Sequence, residues 1–171
     1  MTRMNTLLLG NMISLIGCVL MVGIGFLKKK EQILVVQCFQ FGILATANLI
    51  LGAVSGAIAG FVGIVRNLVF FRFRGTVWLK VLFVGIQLIL SWGSLQTGWL
   101  EWLPMISTVI LTCFLDVKSE VKLKVVLIIT QLFWLVYDIC YRNFTASTFD
   151  MLTVMSNCIG IWMLLRARKK A

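Results

Sequence analysis

Asn67 and Asn157 are the polar residues with the most regular placement in this chain. Each falls in the middle third of an apolar stretch, and each stands 19 residues after another polar residue, Asn48 and Asp138 respectively. A buried amide is costly unless it finds a hydrogen-bond partner. Two of them at matching depth suit either a wet, solute-binding cavity or hydrogen bonds that join helices. Gln131 and Gln87 sit near the centres of other apolar stretches. Gln37 and Gln40 share one helix face, as do Thr108 and Thr112. Arg66 and Asp138 are the ionisable groups furthest from the ends of such stretches. An intramembrane charge is a candidate for substrate contact or proton coupling. Arg66 is close enough to one end to extend its guanidinium to the surface. Asp150 is expected to open the last helix, where a carboxylate complements the helix dipole.

Much chemistry is excluded. There is no histidine, and there are 6 Asp and Glu against 16 Lys and Arg. No carboxylate pair is expected at midplane depth, so the usual acid and base groups of an enzyme are missing. Cysteines 18, 38, 113, 140 and 158 match no metal or disulfide spacing and read as small buried hydrophobes. No metal, cofactor or enzymatic activity is expected.

The elements that must position these residues are membrane helices. The chain is 60% hydrophobic and 13% charged, whereas a soluble domain is about 45–50% apolar and about 25% charged. A helix needs about 20 apolar residues to cross a bilayer. Seven stretches qualify, at about 6–27, 33–51, 55–72, 77–95, 100–115, 121–141 and 148–165. The cut with least support lies at Gly52 to Gly56, the one turn-like point in an uncharged run from 32 to 65. With that cut, every Lys and Arg except Arg3 and Arg142 falls on one side. Without it the asymmetry collapses. The net charge of +10 therefore records the cytoplasmic side rather than a nucleic-acid surface. The N-terminus is expected outside and the C-terminus inside. The first stretch ends in Lys28-Lys29-Lys30 instead of a small-residue cleavage site and reads as a retained span.

The two halves overlay at an offset of about 90 residues. Asn48 meets Asp138 and Asn67 meets Asn157. With small gaps, Asn11-Met12-Ile13-Ser14 meets Pro104-Met105-Ile106-Ser107. Helices one to three then match five to seven, and the fourth is a linker. An odd linker gives both triplets the same orientation. Residues 1–75 form the first triple-helix bundle, 76–98 the linker helix, and 99–171 the second bundle with its basic tail. Gly52, Gly56, Gly60 and Gly63 form a small-residue stripe for close helix packing, favoured within the triplet over a dimer face.

This plan resembles the SWEET, PQ-loop and PnuC group of small carriers. The segments Arg66-Asn67-Leu68-Val69-Phe70-Phe71-Arg72-Phe73-Arg74, Trp102-Leu103-Pro104-Met105-Ile106-Ser107-Thr108 and 157–168 resemble the YgjV-type bacterial inner-membrane proteins. The resemblance implies an all-α, seven-span inner-membrane protein with a parallel 3+1+3 (SWEET-like) fold. It further implies a carrier of a small polar solute, sugar-, vitamin- or nucleoside-like, bound between the triplets. Asn67 and Asn157 match the substrate-binding asparagines of the sugar-carrying relatives. Gln131 and Thr108 lie nearby, with Asp138 as a coupling or contact residue. Two departures stand out. Pro104 is the only proline, so the paired bending prolines of the relatives are missing. Trp99 and Trp102 have the Trp-x-x-Trp spacing of vitamin carriers but flank Glu101 at the membrane boundary, where tryptophan is common anyway. The missing prolines favour the alternative, a non-transporting scaffold that binds another membrane protein. The expected partners are the lipid bilayer and a small solute, with a homo-oligomer left open and no nucleic acid.

Overall fold

A computed structural model of the chain describes residues 3–24, 30–73, 76–95, 98–114 and 119–168. Lys28, Lys29, Arg74, Lys118, Lys169 and Lys170 of the basic clusters lie outside the described residues. Among the described residues there are seven α-helices and no strand. They are α1 (Arg3–Ile24), α2 (Lys30–Leu51), α3 (Val54–Arg72), α4 (Val77–Leu95), α5 (Trp102–Phe114), α6 (Glu120–Cys140) and α7 (Phe144–Arg168). A single 3-10 turn, Trp99–Glu101, leads into α5.

The chain is built inside out. Its buried residues are mostly small or polar, including Ser14, Gln40, Asn48, Ser55, Asn67 and Ser107. Its large apolar side chains face outward, with Trp78 at 84%, Ile89 at 76% and Phe39 at 66% exposure. In water this distribution would forfeit the hydrophobic driving force. In lipid the exterior is already solvated, and helices associate by close packing and hydrogen bonds. Helices α1, α3 and α7 hold the three described segments long and apolar enough to cross a membrane: Met4–Met21, Val54–Arg72 and Phe144–Arg166. Helices α2, α4 and α5 carry shorter apolar segments.

The packing follows a closed path. Helix α2 packs on α1 and α3, and α6 packs on α5 and α7. The path closes where α3 meets α5 and α1 meets α7. Helix α4 lies against α3 and α5. There Phe70 and Phe83 meet edge to face at 5.7 Å, in a cluster with Val62. Gly60 and Gly63 of the glycine stripe face α2, while Gly56 meets both Asn48 of α2 and Tyr137 of α6. A Cβ on Gly60 would stand 2.9 Å from Ala45 Cβ, and one on Gly63 would stand 3.0 Å from the Phe41 ring. Gly52 differs from the rest of the stripe. It forms the turn between α2 and α3 at φ +78°, a region glycine enters without penalty.

Hydrogen bonds gather alternate connections at one end. Asn11 Nδ2 donates to the Arg142 carbonyl at 3.0 Å, which joins the start of α1 to the α6–α7 turn. The Ser55 amide donates to Glu101 Oε2 at 3.1 Å, which joins the start of α3 to the turn before α5. At the other end, Lys80 Nζ donates to the Cys113 carbonyl, so α4 begins where α5 finishes.

These end contacts repeat at an offset of 90 residues without gaps. Ala53 N bonds the Asn48 carbonyl and Asn143 N bonds the Asp138 carbonyl, both at 2.8 Å. Gly52 and Arg142, at matching places, both have positive φ. Asn11 Oδ1 accepts from the Thr145 amide just as Glu101 Oε2 accepts from the Ser55 amide. The structural counterpart of Asn11 is therefore Glu101. The gapped alignment that set Asn11 against Pro104 gives way to this one.

Helix α7 starts at Phe144, four residues before the expected position. Asn143 caps it, its Oδ1 accepting from the Ala146 amide at 3.2 Å. Asp150 is consequently well inside the helix and is not a cap.

Candidate functional site

The α3 residues Gly56, Gly60, Gly63 and Arg66 recur at three- and four-residue spacing, so they share one face. The glycines bring α2 and α3 together and leave space beside the contact. That space is a cavity of about 110 Å³. Side chains from α1, α2, α3, α5, α6 and α7 line it, along with Asn143, and α4 contributes none. The cavity therefore lies among six of the seven helices, with α4 outside it.

Its charged groups are separated along the helices. Arg66 is 2% exposed and turned inward, so it does not extend to the surface as expected. Its Nη1 donates to Thr112 Oγ1 at 3.1 Å, and its Nε and Nη2 reach Asn67 Oδ1 at 3.4 Å. Among the described residues no carboxylate pairs with it. Asp138 and Asp150 lie at the other part of the cavity, at 4% and 5% exposure. Arg66 stands twelve residues into α3 and Asp138 five residues before the turn residue Asn143 at the same end. At 1.5 Å per residue they differ in depth by roughly 10 Å.

The acidic part has more acceptors than donors. Gln131 Nε2 donates to Asp150 Oδ1. Asp150 Oδ2, Asp138 Oδ1 and Asn48 Oδ1 are buried without any hydrogen-bond partner. Such an orphaned acceptor costs about 1–3 kcal/mol. Three of them around one cavity define a place where a donor-bearing guest is stabilised.

Of the residues singled out from sequence, Gln131, Thr108 and Asp138 line this cavity. Asn67 and Asn157 do not. Asn67 is buried beside it, donating to Gln37 Oε1 at 3.0 Å and holding Arg66. Asn157 is half-buried and donates to the Thr153 carbonyl of its own helix at 2.9 Å. The two asparagines diverge because their surroundings do. The residues 90 positions after Arg66 and Gln37 are Ser156 and Leu127, which offer neither the guanidinium nor the amide.

Asp150, Asn48 and Arg66 were not assigned to a site from sequence. The Asn48/Asp138 match at offset 90 was the available signal. Glu101, expected at the membrane boundary, is 4% exposed and holds the Ser55 amide and the Tyr141 hydroxyl. The flanking Trp99 and Trp102 are exposed at 66% and 43%, as interfacial tryptophans are.

An apolar exterior around a polar, hydrogen-bonded interior is the construction of an integral membrane protein. The chain belongs to the Imp-YgjV family of bacterial inner membrane proteins, which it matches over residues 8–168. No curated relative and no solved structure was found to match it.

Proposed function

We propose that the protein is a seven-span carrier of a small polar solute, with the cavity between its two helix triplets as the transport site. The observation that carries this reading is a polar cavity lined from six helices, with buried acceptors left open to a guest. A scaffold has no need of two buried carboxyl groups and an unpaired amide oxygen around one cavity, which only lower its stability. The end contacts that repeat at offset 90 support the parallel 3+1+3 arrangement. That arrangement suits two halves rocking about a fixed site. Ligand pockets for drug-sized molecules run about 300–1,000 Å³. A cavity of about 110 Å³ favours a solute smaller than a sugar, vitamin or nucleoside. The charge asymmetry of the sequence supports an outside N-terminus and a cytoplasmic C-terminus.

The test is access from both sides. In a cysteine-free background, Ser107→Cys is treated with a membrane-impermeant maleimide in right-side-out and inverted vesicles. A carrier exposes this cavity position to each side in turn, so labelling is expected in both preparations. Labelling in one preparation only, or in neither, would remove the carrier reading and favour the scaffold.

A further inference from the structure

We propose that the Asp138, Asp150 and Asn48 end of the cavity binds a compact cation with N–H groups, of the primary ammonium or guanidinium type, and gives up a proton in exchange. This deepens the carrier reading and rests on it for movement across the membrane, but binding itself needs only the cavity.

Three features converge. The partnerless oxygens come from three helices: Asn48 from α2, Asp138 from α6 and Asp150 from α7. All sit on residues at least 95% buried. The two carboxyl groups also lie within hydrogen-bond reach of each other. Two such carboxylates cannot both be charged in a buried site without a positive charge between them. An empty site satisfies this with one shared proton. Finally, among the described residues no basic side chain pairs with either aspartate, and no cluster suits a metal ion. The positive charge has to be a proton or a guest.

The groups facing Asp138 are few. Asp150 approaches from α7 and Cys18 from α1. Tyr137, the residue before it, and Tyr141 at the end of its helix turn to Glu101 instead. Helices α2 and α5 bring only uncharged side chains to the cavity, and Arg66 of α3 stands at the far part. Trp134, one turn before Asp138, also lines the cavity and offers an aromatic face of the kind that attracts cations. The balance is simple. A cation of charge one enters, its N–H groups donate to the open oxygens, and the shared proton leaves to solvent. The charge of the site is the same before and after.

Purified protein in weakly buffered detergent solution at neutral pH provides the test. Guanidinium chloride and methylammonium chloride, added at concentrations well below denaturing, are expected to release protons saturably, approaching one per chain. Tetramethylammonium, which has no N–H, is expected to release none at the same concentrations. Asp138→Asn and Asp150→Asn should each abolish the release, with folding checked by gel filtration. Asn48→Leu keeps both carboxyls and should weaken guanidinium binding about tenfold, the equivalent of about 1.4 kcal/mol, while the proton yield at saturation is unchanged. Absence of saturable release, equal release by tetramethylammonium, or unchanged release from folded aspartate variants would overturn the proposal. Because this assay needs no flux, its outcome is separate from the vesicle labelling. Release without two-sided labelling would keep the cation site and remove the carrier. Two-sided labelling without release would do the reverse.

Discussion

Tyr137 illustrates how much a single side chain holds in a protein with so polar an interior. It is fully buried, and its hydroxyl accepts from the Gly56 amide at 2.9 Å and from Ser55 Oγ at 3.2 Å. Removing that oxygen strands two buried donors. Tyr137→Phe is therefore expected to lower stability by about 1–3 kcal/mol, read as a lower melting temperature in detergent. The glycine stripe makes an opposite demand, for space. A Cβ at Gly60 would meet Ala45 Cβ at 2.9 Å and the Phe41 carbonyl oxygen at 3.2 Å, and the second of these is backbone. Gly60→Ala should destabilise by about 1–3 kcal/mol. Gly85→Ala, where nothing lies within 4 Å, should be neutral or slightly stabilising. If both alanines melt alike, the close approach of α2 and α3 is not what position 60 provides.

Helices α3 and α7 show what the elements reveal and what they hide. The cut between α2 and α3 was legible because Gly52 stands where only a turn fits, and the charge asymmetry demanded it. The start of α7 was not. Residues 142–147, with Thr145 and Ser147 among them, read as a polar connection before a helix starting at 148. In the helix, Ser147 and Thr148 turn their hydroxyls back onto the Phe144 carbonyl, at 3.0 and 2.8 Å, and so satisfy themselves locally. That shift put Asp150 inside the bundle. Depth along a helix could be counted in residues, which is why Asp138, Gln131 and Thr108 could be placed at useful levels. The inward face of Arg66 was legible in the spacing it shares with Gly56, Gly60 and Gly63, but its nearness to the end of α3 made extension to the surface the expected outcome. At this scale the cap is the testable part. Asn143→Ala should cost about 1 kcal/mol, seen as a lower melting temperature and faster amide exchange in the first turn of α7.

For the whole molecule, the composition of the surface and the direction of the chain are the governing facts. Large side chains face lipid, so most outward substitutions among apolar residues should change stability by no more than about 0.5 kcal/mol, read as an almost unchanged melting temperature. The cavity should concentrate the sensitive positions. Orientation gives a second molecular-scale prediction. A reporter fused after residue 171 that is active only in the cytoplasm should work, and one active only outside should not. The reverse pattern would invert the sidedness drawn from the basic residues. Seven helices could be counted in the sequence, but the closure of α7 onto α1 could not, since nothing in either helix alone announces its partner.

That closure has a consequence for how the protein is made. The α3 amide of Ser55 waits for Glu101, which is synthesised 46 residues later. Asn11, near the beginning of the chain, waits for Thr145, 134 residues later. Each half supplies the clasp for the other, and the earliest helix is fastened by the last. A chain cut short before α7 still packs α1 on α2, but it leaves the Asn11 amide without its Thr145 partner and open to lipid. The same polar groups that hold a finished copy together are thus the ones an unfinished copy exposes.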